Sequence, residues 1–207
     1  MKKADTKTRI VAAASELYRR QGMTGTGLKQ IATVAGAPFG SIYHFFPGGK
    51  VELTDTVIRT SGASYGDLVM SIFDACPDLP TAIEVSFVAA AESLAATDFA
   101  DACPIATIAL EVASTDEHLR VATADVFSDW IDTGARKLAA FGLADDAARR
   151  VTIGMIASLE GAFVLSRALR DTQPLLVAGA TVLAAVRAEM NNAQTWTGNK
   201  ADRGPVV

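Results

Sequence analysis

Between residues 29 and 50 the chain sets Lys29, Ser41, Tyr43, His44 and Lys50 among apolar neighbours, inside the run GMTGTGLKQIATVAGAPFGSIYHFFPGGK of residues 22–50. Ammonium, hydroxyl, phenol and imidazole groups at this density donate hydrogen bonds and neutralise charge, which is the chemistry that grips a phosphate backbone and reads base edges. Bond-breaking chemistry has less support. The chain has two histidines, His44 and His118, and two cysteines, Cys76 and Cys103. Their spacing matches no zinc site, and no serine elbow or phosphate loop accompanies them. No metal or cofactor is expected, and the chain is not expected to be an enzyme.

Such side chains must be carried by short helices held at a steep angle. Leu28, Ile31, Ala32 and Ala35 repeat at helical spacing, Gly36 supplies a left-handed stop, and Pro38 suits the first turn of a following helix. So short a connection is that of a helix-turn-helix. Thr26 is the expected N-cap of helix 2, and Lys29 near that N-terminus opposes the helix dipole. The lysine makes sense facing a phosphate or base edge, or as a tolerated surface residue. Helix 1 is expected from Thr6 to Gln21, burying Ile10, Ala13, Ala14, Leu17 and Tyr18 and keeping Lys7, Arg19 and Arg20 outward.

The segment from Thr6 to Leu53 resembles the DNA-binding half of TetR-family transcriptional repressors, with Ile31-Ala32, Gly36, Ser41-Ile42-Tyr43, Phe46 and Lys50 in that family's order. The extra glycine in Phe46-Pro47-Gly48-Gly49-Lys50 is similar to the LmrA/YxaF-like branch, as is Cys103-Pro104 followed by an alanine-rich helix and Glu111. The resemblance implies an all-α fold of about nine helices, a three-helix DNA-binding head and a larger body for effector binding and dimerisation. It implies that helix 3 enters the major groove with Pro38, Phe39, Gly40 and Ser41 facing bases, while Tyr43, His44 and Lys50 hold the backbone and Thr26 and Lys29 assist. Phe39 stands where relatives commonly carry lysine or another polar residue. Its ring either packs on thymine methyl groups, which favours a T-bearing half-site, or packs on its own domain. Phe45 replaces a frequent histidine or tyrosine and removes one phosphate hydrogen bond, and Phe46 is expected in the core.

Charge separates the same two parts. The net charge of −4 over 207 residues resolves into +6 for residues 1–50 and −10 for the remainder, a polarity that orients the molecule in the field of a polyanion. Helix 4 is expected from Lys50 to about Asp74 as the mechanical link, followed by helices near 80–96, 104–114, 116–141, 144–170 and 173–192. The domains are accordingly read as 1–50, 51–192 and a flexible tail at 193–207. The apolar stretch Val151 to Leu169 is interrupted by Glu160 and Arg167, so no membrane span is expected; nor is a secretion signal, and the location is expected to be cytoplasmic.

In the body, Phe87, Phe127, Trp130 and Phe163 either converge on a ligand pocket or form plain core. Glu160 either orients a ligand or pairs at a dimer seam with Arg167 or Arg187. Cys103 sits before Pro104 at a helix N-terminus, where a dipole favours thiolate, or is a small buried apolar thiol. Gly154, Ala157, Gly161, Ala180 and Ala184 permit close helix approach, either within the chain or across a two-fold dimer. The resemblance favours the dimer, and implies a small aromatic or largely apolar effector that releases a repressor from a palindromic double-stranded DNA operator. The alternative from another class is a thiol-based redox sensor or enzyme on a helical scaffold, using Cys103.

Overall fold

The computed structural model describes residues 5–201, with side chains described to residue 191. Among them are nine helices and no strand: α1 Thr6–Gln21, α2 Leu28–Val34, α3 Gly40–Phe45, α4 Gly49–Ala75, α5 Leu79–Ala96, α6 Pro104–Val112, α7 Glu117–Ala140, α8 Asp145–Leu169 and α9 Gln173–Ala201. The all-α expectation holds, and the helix boundaries follow the caps. Asp5 accepts the Thr8 N–H at 2.8 Å to start α1, and Arg170 in the left-handed region ends α8. The main difference is α9, whose backbone stays helical to Ala201 instead of ending near 192. No proline interrupts residues 191–201, and a single glycine costs a helix only about 1 kcal/mol. The remainder of the expected tail, 202–207, lies outside the described residues.

The chain divides into two compact units, Met1–Asp67 with Thr97–Ser128, and Leu68–Ala96 with Asp129–Val207. Packing thus groups α6 and the first half of α7 with the helix-turn-helix segment. In this first unit Ile10, Ala14, Tyr18, Ile31, Ile42, Phe46, Leu53 and Ile58 form the interior with Ile105, Ile108 and Leu119. Tyr18 is fully buried, and its hydroxyl meets that of Thr54 at 2.9 Å, so its polar end is satisfied where water cannot reach. The same burial raises the Tyr18 pKa.

The second unit is built on Phe73, Leu79, Ile83, Phe87, Leu138, Val151, Met155, Val182 and Val186. Gly179 of α9 packs on Phe87 of α5 so closely that a Cβ would lie 2.7 Å from Phe87 Cβ. That glycine therefore serves intrachain packing. Two helices, α5 and α8, are long and apolar enough to cross a membrane by length and composition, which the charges in Val151–Leu169 had argued against. Both contribute to the core of the unit, Ile83 and Phe87 from α5 and Val151 and Met155 from α8, while Val85 and Val88 of α5 and Ile153, Val164, Leu165 and Leu169 of α8 are exposed.

Candidate nucleic-acid interface

The turn that sets the two short helices is fixed by backbone bonds. Ala37 N–H donates to Ala32 O at 3.0 Å and Gly36 N–H to Thr33 O at 3.1 Å, with Gly36 at φ +57°. This is a Schellman ending, and it explains the glycine read from the sequence. Arg9 of α1 completes it, donating from Nε to Ala35 O at 3.0 Å and from Nη2 towards Gly36 O at 3.5 Å. A guanidinium on the last carbonyls of α2 answers the negative end of its dipole. Sequence reasoning missed this use of Arg9.

Helix α3 begins one residue beyond Phe39. Ser41 N–H donates to Pro38 O at 2.9 Å and Ile42 N–H to Phe39 O at 3.1 Å, so Pro38 and Phe39 form the entry turn. Ile42 and Phe46 are buried beneath it, with the Lys7 ammonium 5.5 Å from the Phe46 ring centre. That anchoring turns the opposite side of α3 outward: Pro38, Gly40 and His44 are exposed, Phe39 is 41% exposed and Tyr43 51%, and Ser41 is half-buried. The Phe39 and Tyr43 rings meet edge to face at 5.8 Å and 82°, which orients two exposed rings without burying either. A Cβ at Gly40 would meet no atom within 4 Å, so this surface stays open to close approach.

Glycines shape the entry to α4 as well. Gly49 adopts φ +66°, and the Gly48 N–H donates to Glu52 Oε2 at 2.7 Å. Lys50 follows in the first turn, half-buried; burial lowers its pKa, and the Glu111 carboxylate acts in the opposite sense. Lys29 is exposed as the second residue of α2, whose first turn carries no acidic side chain.

Thr26 is a correction. The N-cap of α2 is Gly27, with no side-chain cap bond. Thr26 is only 1% exposed, its hydroxyl donating to Gly22 O at 2.6 Å and accepting from Gln21 Nε2 at 3.2 Å. It braces the α1–α2 turn, with its hydroxyl and its N–H, which donates to Met23 O at 3.1 Å, both engaged within the protein. On the outer face expected of α1, Lys7 and Arg20 are exposed and Arg19 is half-buried, and Arg19 and Arg20 each pair with Asp101 at 3.1 Å.

The six ligand-binding candidates do not gather in one compact unit. Cys103 and Phe127 fall in the first, and Phe87, Trp130, Glu160 and Phe163 in the second. Phe87 is a core residue, 1% exposed, because α9 closes on it at Gly179. Cys103 is a buried N-cap whose Sγ accepts the Ala106 N–H at 3.5 Å. Phe127, Trp130, Glu160 and Phe163 are half-buried. A shallow depression lined by Asp132, Ala135, Arg136, Ala139, Asp145 and Arg149 includes none of the six.

The small residues assigned to a dimer seam form a different group. Gly154, Ala157, Gly161, Ala180 and Ala184 are all exposed on α8 and α9, beside exposed Ile153, Val164, Leu165, Leu169, Leu176 and Val177. A Cβ at Gly154 or Gly161 would meet nothing within 4 Å.

Comparison with known proteins agrees with this geometry. Residues 10–57 match the bacterial regulatory proteins of the tetR family, and residues 80–181 match the C-terminal domain of LmrA/YxaF-like transcriptional regulators. The uncharacterised HTH-type transcriptional regulator YxaF of Bacillus subtilis (strain 168) is 33% identical over 185 residues, 89% of this chain and 97% of YxaF. The HTH-type transcriptional regulator LmrA of the same organism is 29% identical over 85% of this chain and 94% of its own. Among solved structures, a TetR transcriptional regulator from Legionella pneumophila superposes with a TM-score of 0.78 at 21% identity, covering 88% of this chain and 97% of that one. With the helix-turn-helix built as described, the chain belongs to the TetR family of transcriptional regulators, with a C-terminal domain of the LmrA/YxaF-like kind.

Proposed function

We propose that this regulator is a homodimeric repressor, acting in the cytoplasm, that leaves a palindromic operator when a small, largely apolar or aromatic effector binds its body. The observation that carries the DNA-reading part is α3: Ile42 and Phe46 are buried while Phe39, Gly40, Tyr43 and His44 are exposed together. Phe39 offers no hydrogen bond to a base edge, so its contribution is apolar contact with thymine methyls, and each half-site carries T opposite it. Tyr43 donates its hydroxyl to a phosphate, and Lys29 and Lys50 neutralise others, Lys50 beside the positive end of α4.

Dimerisation is supported by the exposed small-residue face of α8 and α9. Gly154, Ala157 and Gly161 allow close helix approach, and the flanking Leu165 and Val164 supply apolar area to bury. Two heads then read half-sites about 34 to 36 Å apart, or a multiple of that spacing. For the effector, Trp130, Glu160 and Phe163 are the half-buried side chains of the second unit suited to an aromatic ligand with one polar group. An effector that weakens DNA binding tenfold must bind the DNA complex tenfold less well, a coupling of about 1.4 kcal/mol.

The test is binding of the full-length protein to the DNA upstream of its own gene, at two salt concentrations and against scrambled competitor. A Lys50→Ala, Tyr43→Phe double variant is compared in parallel. With roughly three to five phosphates neutralised per subunit, the log-log salt slope is expected at about −5 to −9. Binding that ignores sequence, or that the double variant leaves unchanged, overturns the assignment of α3 and Lys50 to DNA.

A further inference from the structure

Two carboxylates from outside the helix-turn-helix segment close on the α1–α2 turn. Glu111, near the end of α6, accepts the Met23 N–H on Oε1 at 3.1 Å and the Thr24 N–H on Oε2 at 2.6 Å. Asp101, in the connection leading into α6, accepts Arg19 Nε on Oδ2 and Arg20 Nε on Oδ1, both at 3.1 Å. Each oxygen of each carboxylate is thus engaged by residues 19–24, where α1 ends. Gly22 makes room for this: it adopts φ +78°, and a Cβ there would lie 2.1 Å from Glu111 Oε1.

The turn they hold is coupled onward to α2. Gln21 Nε2 donates to Gly25 O at 3.0 Å, to Thr26 Oγ1 at 3.2 Å and to Gln30 Oε1 at 2.9 Å. Helix α2 carries Lys29, and its C-terminal end is tied through Arg9 to the turn that launches α3. A backbone N–H held by a carboxylate is a short, directional contact, so the position of α6 sets where α2 starts.

We propose that Glu111, supported by Asp101, is a positioning residue for DNA recognition: from α6 it fixes the α1–α2 turn and hence the placement of α2 and α3 for the groove. The proposal rests on the DNA-reading role assigned above. Glu111 itself touches no DNA in this scheme, and its charge near Lys50 opposes phosphate binding. Loss of positioning and loss of that charge therefore change affinity in opposite directions, and salt separates them.

The experiment uses full-length protein and a duplex selected by the wild type from a random-sequence pool. Glu111→Ala, Glu111→Gln and, as a stability control in the other unit, Ile83→Val are compared for Kd and for active fraction by stoichiometric titration, at low and high salt. Glu111→Ala is expected to raise Kd about tenfold at high salt with the active fraction unchanged. Glu111→Gln keeps one acceptor oxygen and falls between it and the wild type. Ile83→Val keeps the wild-type Kd. A Glu111→Ala protein with wild-type Kd at high salt, tighter binding at low salt only, or an equal loss in Ile83→Val overturns the positioning role. Failure of the wild type to select any sequence overturns the DNA-reading assignment itself, and the positioning role with it.

Discussion

Replacing Gly22 by alanine tests the fold of the head at the point where backbone conformation and a long-range contact meet. At φ +78° and ψ 168° the residue occupies a region almost reserved for glycine, and holding alanine there costs about 1–3 kcal/mol. The new Cβ also falls 2.1 Å from Glu111 Oε1 and 3.2 Å from its Cδ. The carboxylate must swing away, giving up the Met23 and Thr24 N–H groups. Bonds to a charged acceptor contribute about 1.5–3 kcal/mol each when buried, and roughly half that for groups this open to solvent. The sum is about 2.5–6 kcal/mol, which for a chain of this size lowers Tm by about 5–24 °C. Chemical denaturation followed by circular dichroism measures it, run as a double-mutant cycle with Glu111→Ala. In the Glu111→Ala background only the backbone strain remains, so Gly22→Ala is expected to cost about 1.5–3 kcal/mol less there. An equal cost in both backgrounds, within about 0.5 kcal/mol, would refute the Glu111 clamp. A total below about 1 kcal/mol would refute the strained turn.

Gly36→Ala meets open space and loses only the preference for φ +57°, so it should cost about 1 kcal/mol, whereas Gly179→Ala drives a methyl into Phe87 and should cost about 1–3 kcal/mol or more; denaturation midpoints decide, and the reverse order would contradict the packing. Leu165 is 56% exposed on the small-residue face proposed as a dimer seam, so, on that proposal, the wild type should sediment as a dimer and Leu165→Arg as a helical monomer; a dimer that survives the substitution would place the seam elsewhere, and a monomeric wild type would overturn the proposed dimer. Asp5 and Asp78 are held below the usual carboxylate range by hydrogen bonds at Thr8 and Thr81, and Glu117 and Asp146 by Arg120 and Arg150. Groups whose folded pKa is lowered add stability above their unfolded values and lose it as pH falls through the folded ones, so unfolding midpoints should decline steadily below about pH 5; a rise on acidification would contradict the assignment.

What the sequence made legible in this protein was local. The stripe of α1 and the Gly36 stop announce themselves through helical spacing and one residue's tolerance of positive φ, while Ser41-Ile42-Tyr43 and Phe46 were legible through the family resemblance; the structure buries the α1 stripe, gives Gly36 its positive φ and sets Ser41, Ile42 and Tyr43 on α3 with Phe46 at its end. Thr26 was misread for a local reason too. Threonine before an apolar run has the form of an N-cap, but tertiary burial gave its hydroxyl to the Gly22 carbonyl and left Gly27 to start the helix. The aromatic residues of the body carry no such local signature. A phenylalanine at helical spacing looks the same whether it lines a pocket or, as Phe87 does, seals a core against a glycine more than ninety residues away.

The contacts that no periodicity reveals are those made by charged side chains across long separations, and several of them hold the first unit. Arg9 reaches 26 residues forward to a carbonyl, Glu111 reaches 88 back to an amide, and Asp101 reaches 82 back to Arg19. Each joins a charge to a backbone group or a partner whose need is created by the fold: an orphaned helix end, a turn of unsatisfied N–H groups, a pair of adjacent arginines. Part of the basic charge of residues 1–50 is consequently engaged by other parts of the chain, since Arg9 donates to the end of α2 and Arg19 and Arg20 share Asp101, while Lys29 stays exposed. A head assembled this way depends on residues 97–128 for its shape. Residues 10–57, the stretch matched to the DNA-binding family, should therefore show weaker protection of the Met23 and Thr24 amides from hydrogen exchange when expressed alone than in the full chain. Equal protection in both would mean that the turn is rigid by itself and that Glu111 merely rests upon it.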